Sequence, residues 1–258
     1  MVDLSEKKRV VIKVGTSNIA YKTGNINIRR VENLVRVISD IRNSGREVIF
    51  VTSGAISVGM GRLNLSERPS DTPTKQACAA IGQSELMNIY DTEFAKHNRT
   101  VAQILMTRDV VSNKERRENV KNTLERLLEM GVIPIINAND AISIEELDFD
   151  ENDTLSAMVA KIAEADLLIM FTDVDGLYDK NPSEPDAKLI PVVEKITQDM
   201  IHAAKGKGSE LSSGGMLTKL EAAMLAKENH IQSVILNGER LEILYDLFEN
   251  KATCTVFV

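Results

Sequence analysis

The chain has 258 residues, 43% of them hydrophobic and 27% charged, the composition of an ordinary globular protein near the upper size for one hydrophobic core. Its formal charge of −7, its lack of tryptophan and its 4% aromatic content argue against a surface that binds nucleic acids through phosphates or stacked bases. The three scattered histidines argue against a zinc site, and no apolar run is long enough to cross a membrane.

Short apolar runs predict the strands of a buried sheet. They lack the alternation of apolar and polar residues, which is typical of strands covered on both faces. In chain order they are 10–14, 48–51, 132–136, 167–171 and 234–236, with 100–105 and 253–258 as weaker candidates.

Segments of helical periodicity lie between these runs. In the first, Val31, Leu34 and Val35 begin an apolar stripe of three- and four-residue spacing, and Gly45 follows as a C-terminal cap. Strands that alternate with helices predict a mostly parallel sheet with helices on both faces, in one α/β/α domain. The predicted helices are 31–41, 74–97, 114–130, 154–165 and 216–229.

The two cysteines, Cys78 and Cys254, lie far apart in the sequence. Residues 1–8 contain no apolar secretory segment, so we interpret the cysteines as reduced thiols of a cytoplasmic protein rather than as a disulfide. Cys78 lies in an alanine-rich segment of helical character, where packing is the simpler role.

Polar or glycine-rich clusters directly follow four of the apolar runs. Ligands of parallel sheets gather at the carboxyl ends of the strands, so we expect a binding site at that edge. The clusters are GTS at 15–17, TSGA at 52–55, NAND at 137–140 and TDVDG at 172–176.

Familiar nucleotide and metal signatures do not describe these clusters. The sequence contains neither GxxxxGK[ST] nor a GxGxxG that follows a strand. DFDEND at 148–153 resembles the start of a calcium loop, but Asp153 stands where that loop requires glycine and Val159 where it requires glutamate. We reject calcium binding on this ground.

Two lysines occupy settings that suit an anionic ligand. Lys13 has apolar neighbours in a predicted strand, where a charge is costly unless an anion meets it. Lys219 follows the segment SSGGMLT at a helix start, where backbone N–H groups favour phosphate. The two amines could bracket a transferring phosphoryl group, although each lysine taken alone could be a surface residue.

A set of motifs in fixed order gives the chain a resemblance that covers nearly its whole length. They are IKVGTS, VTSGAISVG, TKQACAAIGQSELM, PIINANDA, ENDTLSA, TDVDGLYDKNP and SSGGMLTKLEAA. This set resembles the glutamate 5-kinase branch of the amino acid kinase family. The resemblance implies that family's fold, a three-layer α/β/α sandwich with a central mostly parallel sheet, as a single domain over residues 1–258 without the C-terminal PUA domain of many relatives.

The resemblance also implies an activity, the ATP-dependent phosphorylation of the γ-carboxylate of L-glutamate to L-glutamyl 5-phosphate, the first step of proline biosynthesis. A glutamate carboxyl has a pKa of about 4.3, so the nucleophile is ionised at neutral pH and needs no general base. Catalysis would then depend on positioning and on cations at the developing charge, with Mg²⁺ carried by the nucleotide and no metal site of the protein's own.

The resemblance assigns roles to residues of these motifs. The expected catalytic residues are Lys13, Lys219 and Asp153, with Asp153 orienting the lysines. The expected substrate contacts are Ser53, Gly54, Asp140 and Asn152, with Asp140 pairing with the substrate ammonium group. The expected nucleotide contacts are Lys13, Gly15, Thr172, Asp173, Ser213, Gly214, Gly215, Met216, Leu217, Thr218 and Lys219. Simpler roles stay open for some of them, such as a cap hydroxyl for Ser53, a turn residue for Asp140 and a helix N-cap for Asn152.

One departure from the family pattern lies in the nucleotide loop. In relatives the nucleotide loop usually resembles Gly-Thr-Gly-Gly-Met, whereas this chain has SSGGM at 212–216. The serine in place of the first glycine is expected to stiffen the loop, while Ser213 keeps the hydroxyl of the usual threonine.

Two other functions stay open at this point: a carboxylate kinase for aspartate or acetylglutamate, and a non-catalytic amino-acid sensor. The presence of both lysines favours an enzyme. The resemblance further implies a homo-oligomer, dimer or tetramer, with the alanine-rich segment 70–97 as a contact. It also implies feedback inhibition by proline and delivery of the product to the next enzyme of the pathway, with no nucleic-acid or membrane partner.

Overall fold

The computed structural model describes residues 2–107, 109–142, 152–204 and 215–258, and the strands within them form one sheet. The order across the sheet is β3-β4-β2-β1-β5-β7-β8-β6, and of the pairings observed only that of β7 with β8 is antiparallel. The predicted mostly parallel sheet is confirmed. The strands are β1 (Arg9–Lys13), β2 (Glu47–Val51), β3 (Val101–Met106), β4 (Ile133–Ala138), β5 (Leu167–Thr172), β6 (Val192–Val193), β7 (Gln232–Asn237) and β8 (Cys254–Phe257).

The apolar runs form strands because both faces of the sheet are covered. In β1, Val10 and Ile12 pack into one core and Val11 packs into a second core on the opposite face, all with 0% exposure. The strand sequence therefore does not alternate between apolar and polar residues, since neither side of the strand meets water. The result is the expected three-layer α/β/α sandwich.

The helices lie on both faces of this sheet. The five predicted helices correspond to α1, α3, α5, α6 and α8, with ends that differ by a few residues. The sequence did not predict α2, α4, α7, α9 or β6, which have only 9, 4, 7, 6 and 2 residues, too few to show a clear period. The described helices are α1 (Ile28–Asn43), α2 (Ala55–Leu63), α3 (Thr72–Ala95), α4 (Asp109–Ser112), α5 (Lys114–Glu129), α6 (Asn152–Ile162), α7 (Gln198–Ala204), α8 (Met216–Glu228) and α9 (Ile243–Phe248).

Local capping chemistry agrees with these helix ends. Gly45 follows the last turn of α1 with a φ of +97°, the left-handed conformation expected of a C-terminal cap. Asp71 caps α3 by accepting a hydrogen bond from the Thr74 N–H. No helix in the described ranges has the length and apolar character needed to cross a membrane.

Two glycines bring α2 and α3 into close contact. A Cβ added to Gly59 would lie 1.9 Å from the Cys78 carbonyl oxygen, and one added to Gly82 would lie 1.8 Å from the Ala55 carbonyl oxygen. Larger residues at either position would separate the helices. Cys78 on α3 and Cys254 in β8 are both buried free thiols, as predicted.

Candidate active site

Both lysines singled out from the sequence meet at one carboxylate. The Lys13 amine lies 2.6 Å from Oδ1 of Asp153, and the Lys219 amine lies 3.1 Å from Oδ2. The Thr218 hydroxyl donates to the same Oδ2 over 2.8 Å. Lys13 is 5% exposed, Lys219 3% and Asp153 0%, so the two surface-residue alternatives for the lysines are wrong.

The topology explains why these residues converge. Lys13 is the last residue of β1, flanked in the sheet by β2 and β5, so its amine emerges at the carboxyl edge. Asp153 lies in the first turn of α6 and Lys219 in the first turn of α8, and these two helices pack against each other. The shared carboxylate thus joins the starts of two helices to the end of a central strand.

The charges in this cluster stabilise one another. Burial by itself would raise the pKa of the Asp153 carboxyl, but the Coulombic attraction of Lys13 and Lys219, with hydrogen bonds from Lys13 and Thr218, lowers it from 3.8 to about 2. Asp153 is therefore a carboxylate at neutral pH. With two amines on one carboxylate, the cluster keeps a net positive charge that a phosphoryl group could neutralise.

A chain of side-chain amides lies beside this cluster. The Asn152 amide donates to the Ser53 hydroxyl over 2.8 Å and to Oδ1 of Asn137 over 3.2 Å. The Asn137 amide in turn donates to Oε1 of Gln83 over 2.8 Å, and its Oδ1 also accepts from the Ala138 N–H. The structure thus brings two expected substrate contacts, Ser53 and Asn152, into one hydrogen-bonded network.

Gly54 turns the chain from β2 into α2. It is the N-cap of that helix and has a φ of +94°, so an L side chain there would be strained. An added Cβ would also lie 3.0 Å from Cδ1 of Ile19 and 3.3 Å from Cγ2 of Thr16, in the loop after β1. Glycine therefore lets the turns after β1 and β2 lie side by side.

Asp140 lines a cavity of about 370 Å³ at the carboxyl edge of β4. Gln83 and Met87 of α3 and Ala55 of α2 form other parts of its wall. A cavity of this size falls in the range of sites for small metabolites. Asp140 is half-buried, and it supplies a carboxylate to the wall beside the amide network.

Those expected nucleotide contacts that the structure describes lie toward the β5 side of Lys13 and at the start of α8. Thr172 ends β5, and its hydroxyl donates to Oδ1 of Asp173 over 3.2 Å. A Cβ added to Gly15 would lie 3.9 Å from the Lys13 amine, so the loop backbone borders the amine closely. Ser213 and Gly214, like residues 148–151 of the acidic loop, lie outside the described residues.

The N-terminus of α8 completes this side of the site. Gly215 is the N-cap and has no side chain that could satisfy the first N–H groups of the 13-residue helix. Such N–H groups, with the helix dipole behind them, suit a phosphate. Met216, Leu217, Thr218 and Lys219 form the first turn, so the part of the predicted nucleotide loop that the structure describes lies next to the lysine cluster.

Two residues of the network were not assigned any role from the sequence. Asn137 is 1% exposed and Gln83 is 9% exposed, both unusual for amides. A signal for Gln83 existed, because it stands at a core position of α3 between buried Ala79 and Leu86. A polar residue at an apolar helical position is a reason to look for a partner.

Comparison with known proteins shows the family of this chain. A family model described as the amino acid kinase family matches residues 8–237. The chain belongs to the amino acid kinase family. Among solved structures of amino acid kinase fold, a crystal structure of UMP kinase from Ureaplasma parvum superposes with a TM-score of 0.65 and covers 98% of this chain and 99% of its own. Its sequence identity is only 17%, so this likeness confirms the fold alone.

Relatives within the amino acid kinase family are much more similar in sequence. Proteins named glutamate 5-kinase from Enterococcus faecalis and Clostridium perfringens are 46% and 48% identical, covering 99% of this chain and 96% and 97% of their own lengths. One from Listeria innocua is 48% identical, covering 98% of this chain and 94% of its own length. The resemblance drawn from the motifs is confirmed.

Proposed function

We propose that this amino acid kinase is a glutamate 5-kinase, which transfers the γ-phosphoryl group of ATP to the γ-carboxylate of L-glutamate. The observation that carries the proposal is the meeting of Lys13 and Lys219 at the Asp153 carboxylate. The identity of 46–48% to proteins named glutamate 5-kinase, over nearly the whole chain, supports the choice of substrate.

The reaction needs charge neutralisation more than proton transfer. The γ-carboxylate is ionised at neutral pH, and one of its oxygens attacks the γ-phosphorus while the bond to the β–γ bridging oxygen breaks. The products are L-glutamyl 5-phosphate and ADP, and no proton is exchanged. The main barrier is the repulsion between the carboxylate and the phosphate oxygens, which cations in a buried site reduce.

In this proposal the two lysines approach the migrating phosphoryl group from β1 and from α8. Asp153 is a positioning residue, because it holds both amines before substrate arrives and so lowers the cost of arranging them during the reaction. Its low pKa keeps it charged at neutral pH, so it holds the two amines as a carboxylate.

ATP would lie along the carboxyl edges of β1 and β5. The backbone around Gly15 and the first turn of α8 would meet its phosphates, and Thr172 and Asp173 would meet the remainder of the nucleotide. Mg²⁺ would arrive on the β- and γ-phosphate oxygens and add positive charge there.

L-Glutamate would place its ammonium end in the 370 Å³ cavity that Asp140 lines. Its γ-carboxylate would extend out of this cavity toward the lysine cluster, because Lys13, Lys219, Ser53 and Asn152 are not among the described residues of the cavity wall. Asp140 would pair with the ammonium group, and Ser53, Gly54 and Asn152 would meet the carboxylates. Proline shares the α-carboxylate and the charged amine, so we include feedback inhibition by proline at this cavity in the proposal. If proline fails to raise the apparent KM for glutamate, that part is wrong.

The proposed function extends to the oligomeric state, the location and the product of the enzyme. We propose a single kinase domain that forms a homo-oligomer in the cytoplasm and supplies its labile acyl phosphate to the next enzyme of the pathway. The two buried free thiols support a reducing compartment. Light scattering of the purified protein would test the oligomer, and a monomer would contradict it.

The decisive experiment traps the acyl phosphate with hydroxylamine. Purified protein with Mg·ATP should form a hydroxamate from L-glutamate and much less from aspartate or N-acetylglutamate. A preference for the N-acylated acid would contradict the proposal, because Asp140 is assigned to a free ammonium group. No hydroxamate from any acid in the panel would contradict kinase activity on carboxylates altogether.

A further inference from the structure

Gln83 occupies an unusual place in the fold. It lies on the core-facing side of α3, where neighbouring core positions are held by Ala79 and Leu86, yet it carries a polar amide with 9% exposure. The close crossing of α2 and α3 at Gly82 brings this part of α3 against the start of α2. Gln83 therefore reaches the carboxyl edge of the sheet from the side opposite the lysine cluster.

Hydrogen bonds fix which end of the Gln83 amide faces the network. Oδ1 of Asn137 accepts from the Ala138 N–H over 2.9 Å and from Asn152 over 3.2 Å, so the Asn137 amide nitrogen must face away from both. That nitrogen donates to Oε1 of Gln83 over 2.8 Å. The oxygen and the NH₂ group of an amide point in different directions, so the contact with Asn137 uses the Gln83 oxygen and leaves its N–H groups for another partner.

The other surroundings of Gln83 are those of the cavity that contains Asp140. Gln83 forms part of the wall of this 370 Å³ space, together with Ala55, Ala138 and Asp140. A ligand whose ammonium group pairs with Asp140 has its α-carboxylate one carbon away. Side-chain N–H groups in the same wall suit that carboxylate, since hydrogen bonds to a charged acceptor are stronger than neutral ones.

We propose that Gln83 is a specificity-determining residue that donates a hydrogen bond from its side-chain amide to the α-carboxylate of the amino-acid substrate. Its carbonyl oxygen, held by Asn137, sets the orientation of the amide. This inference rests on the proposed glutamate 5-kinase function. It adds a residue from α3 to a substrate site otherwise assigned to residues that follow β2 and β4 or begin α6.

Isothermal titration without ATP tests the proposal with two ligands. L-Glutamate carries the α-carboxylate, and 4-aminobutyrate keeps the amine and the far carboxylate but lacks it. In Gln83→Met the Kd for L-glutamate should rise about 10-fold or more, as expected for one lost hydrogen bond to a charged group, while the Kd for 4-aminobutyrate should stay within about 2-fold of wild type. Equal weakening of both ligands, or of neither, would show that Gln83 has only a packing role.

A second variant tests the N–H donors of the Gln83 amide while it keeps an oxygen acceptor in place. Gln83→Glu keeps an oxygen for Asn137 and has the same shape, but it replaces the N–H groups with a negative charge. We expect the Kd for L-glutamate to rise on the order of 100-fold, because a lost donor and a like charge act together. A Kd near that of wild type would overturn the proposal.

A charge-matched control and a turnover assay complete the test. Asn88→Asp adds the same charge at an exposed position of the same helix that does not line the cavity, and it should leave the Kd for L-glutamate within about 2-fold of wild type if binding depends on Gln83 itself. Failure of wild type to bind L-glutamate would overturn the inference. Binding of L-glutamate without hydroxamate formation would instead contradict the proposed catalytic function and leave the comparison at Gln83 valid.

Discussion

The amine of Lys13 lies 2.6 Å from Oδ1 of Asp153, in a cluster where neither side chain is more than 6% exposed. A lysine buried at the end of a central strand is tolerated because this carboxylate meets it. In the proposed reaction the same amine must also meet the phosphoryl group, so the structure links a stabilising ion pair to a catalytic position.

Replacing Lys13 with methionine should remove a catalytic charge and keep most of the side-chain volume. We expect kcat to fall by about 10²–10³-fold, by analogy with the loss of one oxyanion donor, with the Kd for L-glutamate little changed. Hydroxamate formation gives kcat, and titration without ATP gives the Kd. Lys22→Met, at an exposed position, is the control and should match wild type. Unchanged turnover in the Lys13 variant would contradict its catalytic role.

Replacing Asp153 with asparagine should weaken both folding and turnover. The variant leaves two buried amines without their carboxylate, a loss worth on the order of 3 kcal/mol of unfolding free energy. Urea denaturation measures this loss, and the trapped-product assay measures turnover. Glu129→Gln is the control, since Glu129 pairs with Arg126 at an exposed site where an ion pair contributes little. Equal stability of the two variants would contradict the structural role of Asp153.

The contribution of Asp153 should depend on pH in a defined direction. Its pKa falls from 3.8 to about 2 on folding, so its stabilising effect is complete above pH 4 and is lost as the pH falls toward 2. A pKa difference of this size corresponds to roughly 2 kcal/mol. The stability gap between wild type and Asp153→Asn, measured by urea denaturation, should therefore narrow between about pH 4 and pH 2. A constant gap would show that Asp153 is not a low-pKa carboxylate in the native state.

The sequence predicted the sheet and the lysines better than the contacts between distant elements. The uninterrupted apolar runs of β1 and β5 predicted buried strands, because both faces of these strands are covered. Lys13 was identified because it is the one charged residue in its run. The partners of Lys13 are set by how α6 and α8 pack, which no local pattern encodes. For the same reason Asn137 was assigned no role from the sequence, because its hydrogen bond is made to Gln83, which reaches it from α3.

The turn at Gly54 offers a test of how closely the loops around the site are packed. Gly54→Ala places a side chain at a φ of +94° and 3.0 Å from Cδ1 of Ile19, whereas Gly45→Ala meets the same backbone strain with no atom within 4 Å. The control variant Gly45→Ala should lose about 1–2 kcal/mol of unfolding free energy, because alanine is strained in the left-handed conformation. We expect Gly54→Ala to lose more unfolding free energy than the control and to raise the KM for L-glutamate as well. Equal stabilities and an unchanged KM would mean that the loop after β1 can move aside without consequence.

The crossing of α2 and α3 should be sensitive to a single methyl group at Gly82. Alanine is the better helix former by about 1 kcal/mol, so propensity alone predicts that Gly82→Ala is stabilising. The added Cβ would however lie 1.8 Å from the Ala55 carbonyl oxygen, and the helices must separate, which typically costs about 1–3 kcal/mol.

Because Gln83 is the next residue, this separation should also weaken the hydrogen bond to Asn137 and raise the Kd for L-glutamate. Thermal unfolding and titration of the same sample would measure both effects. Asn88→Ala, at an exposed position of α3, is the control and should change neither quantity appreciably. If Gly82→Ala is instead more stable than wild type and binds L-glutamate normally, the contact between the two helices does not position the substrate site.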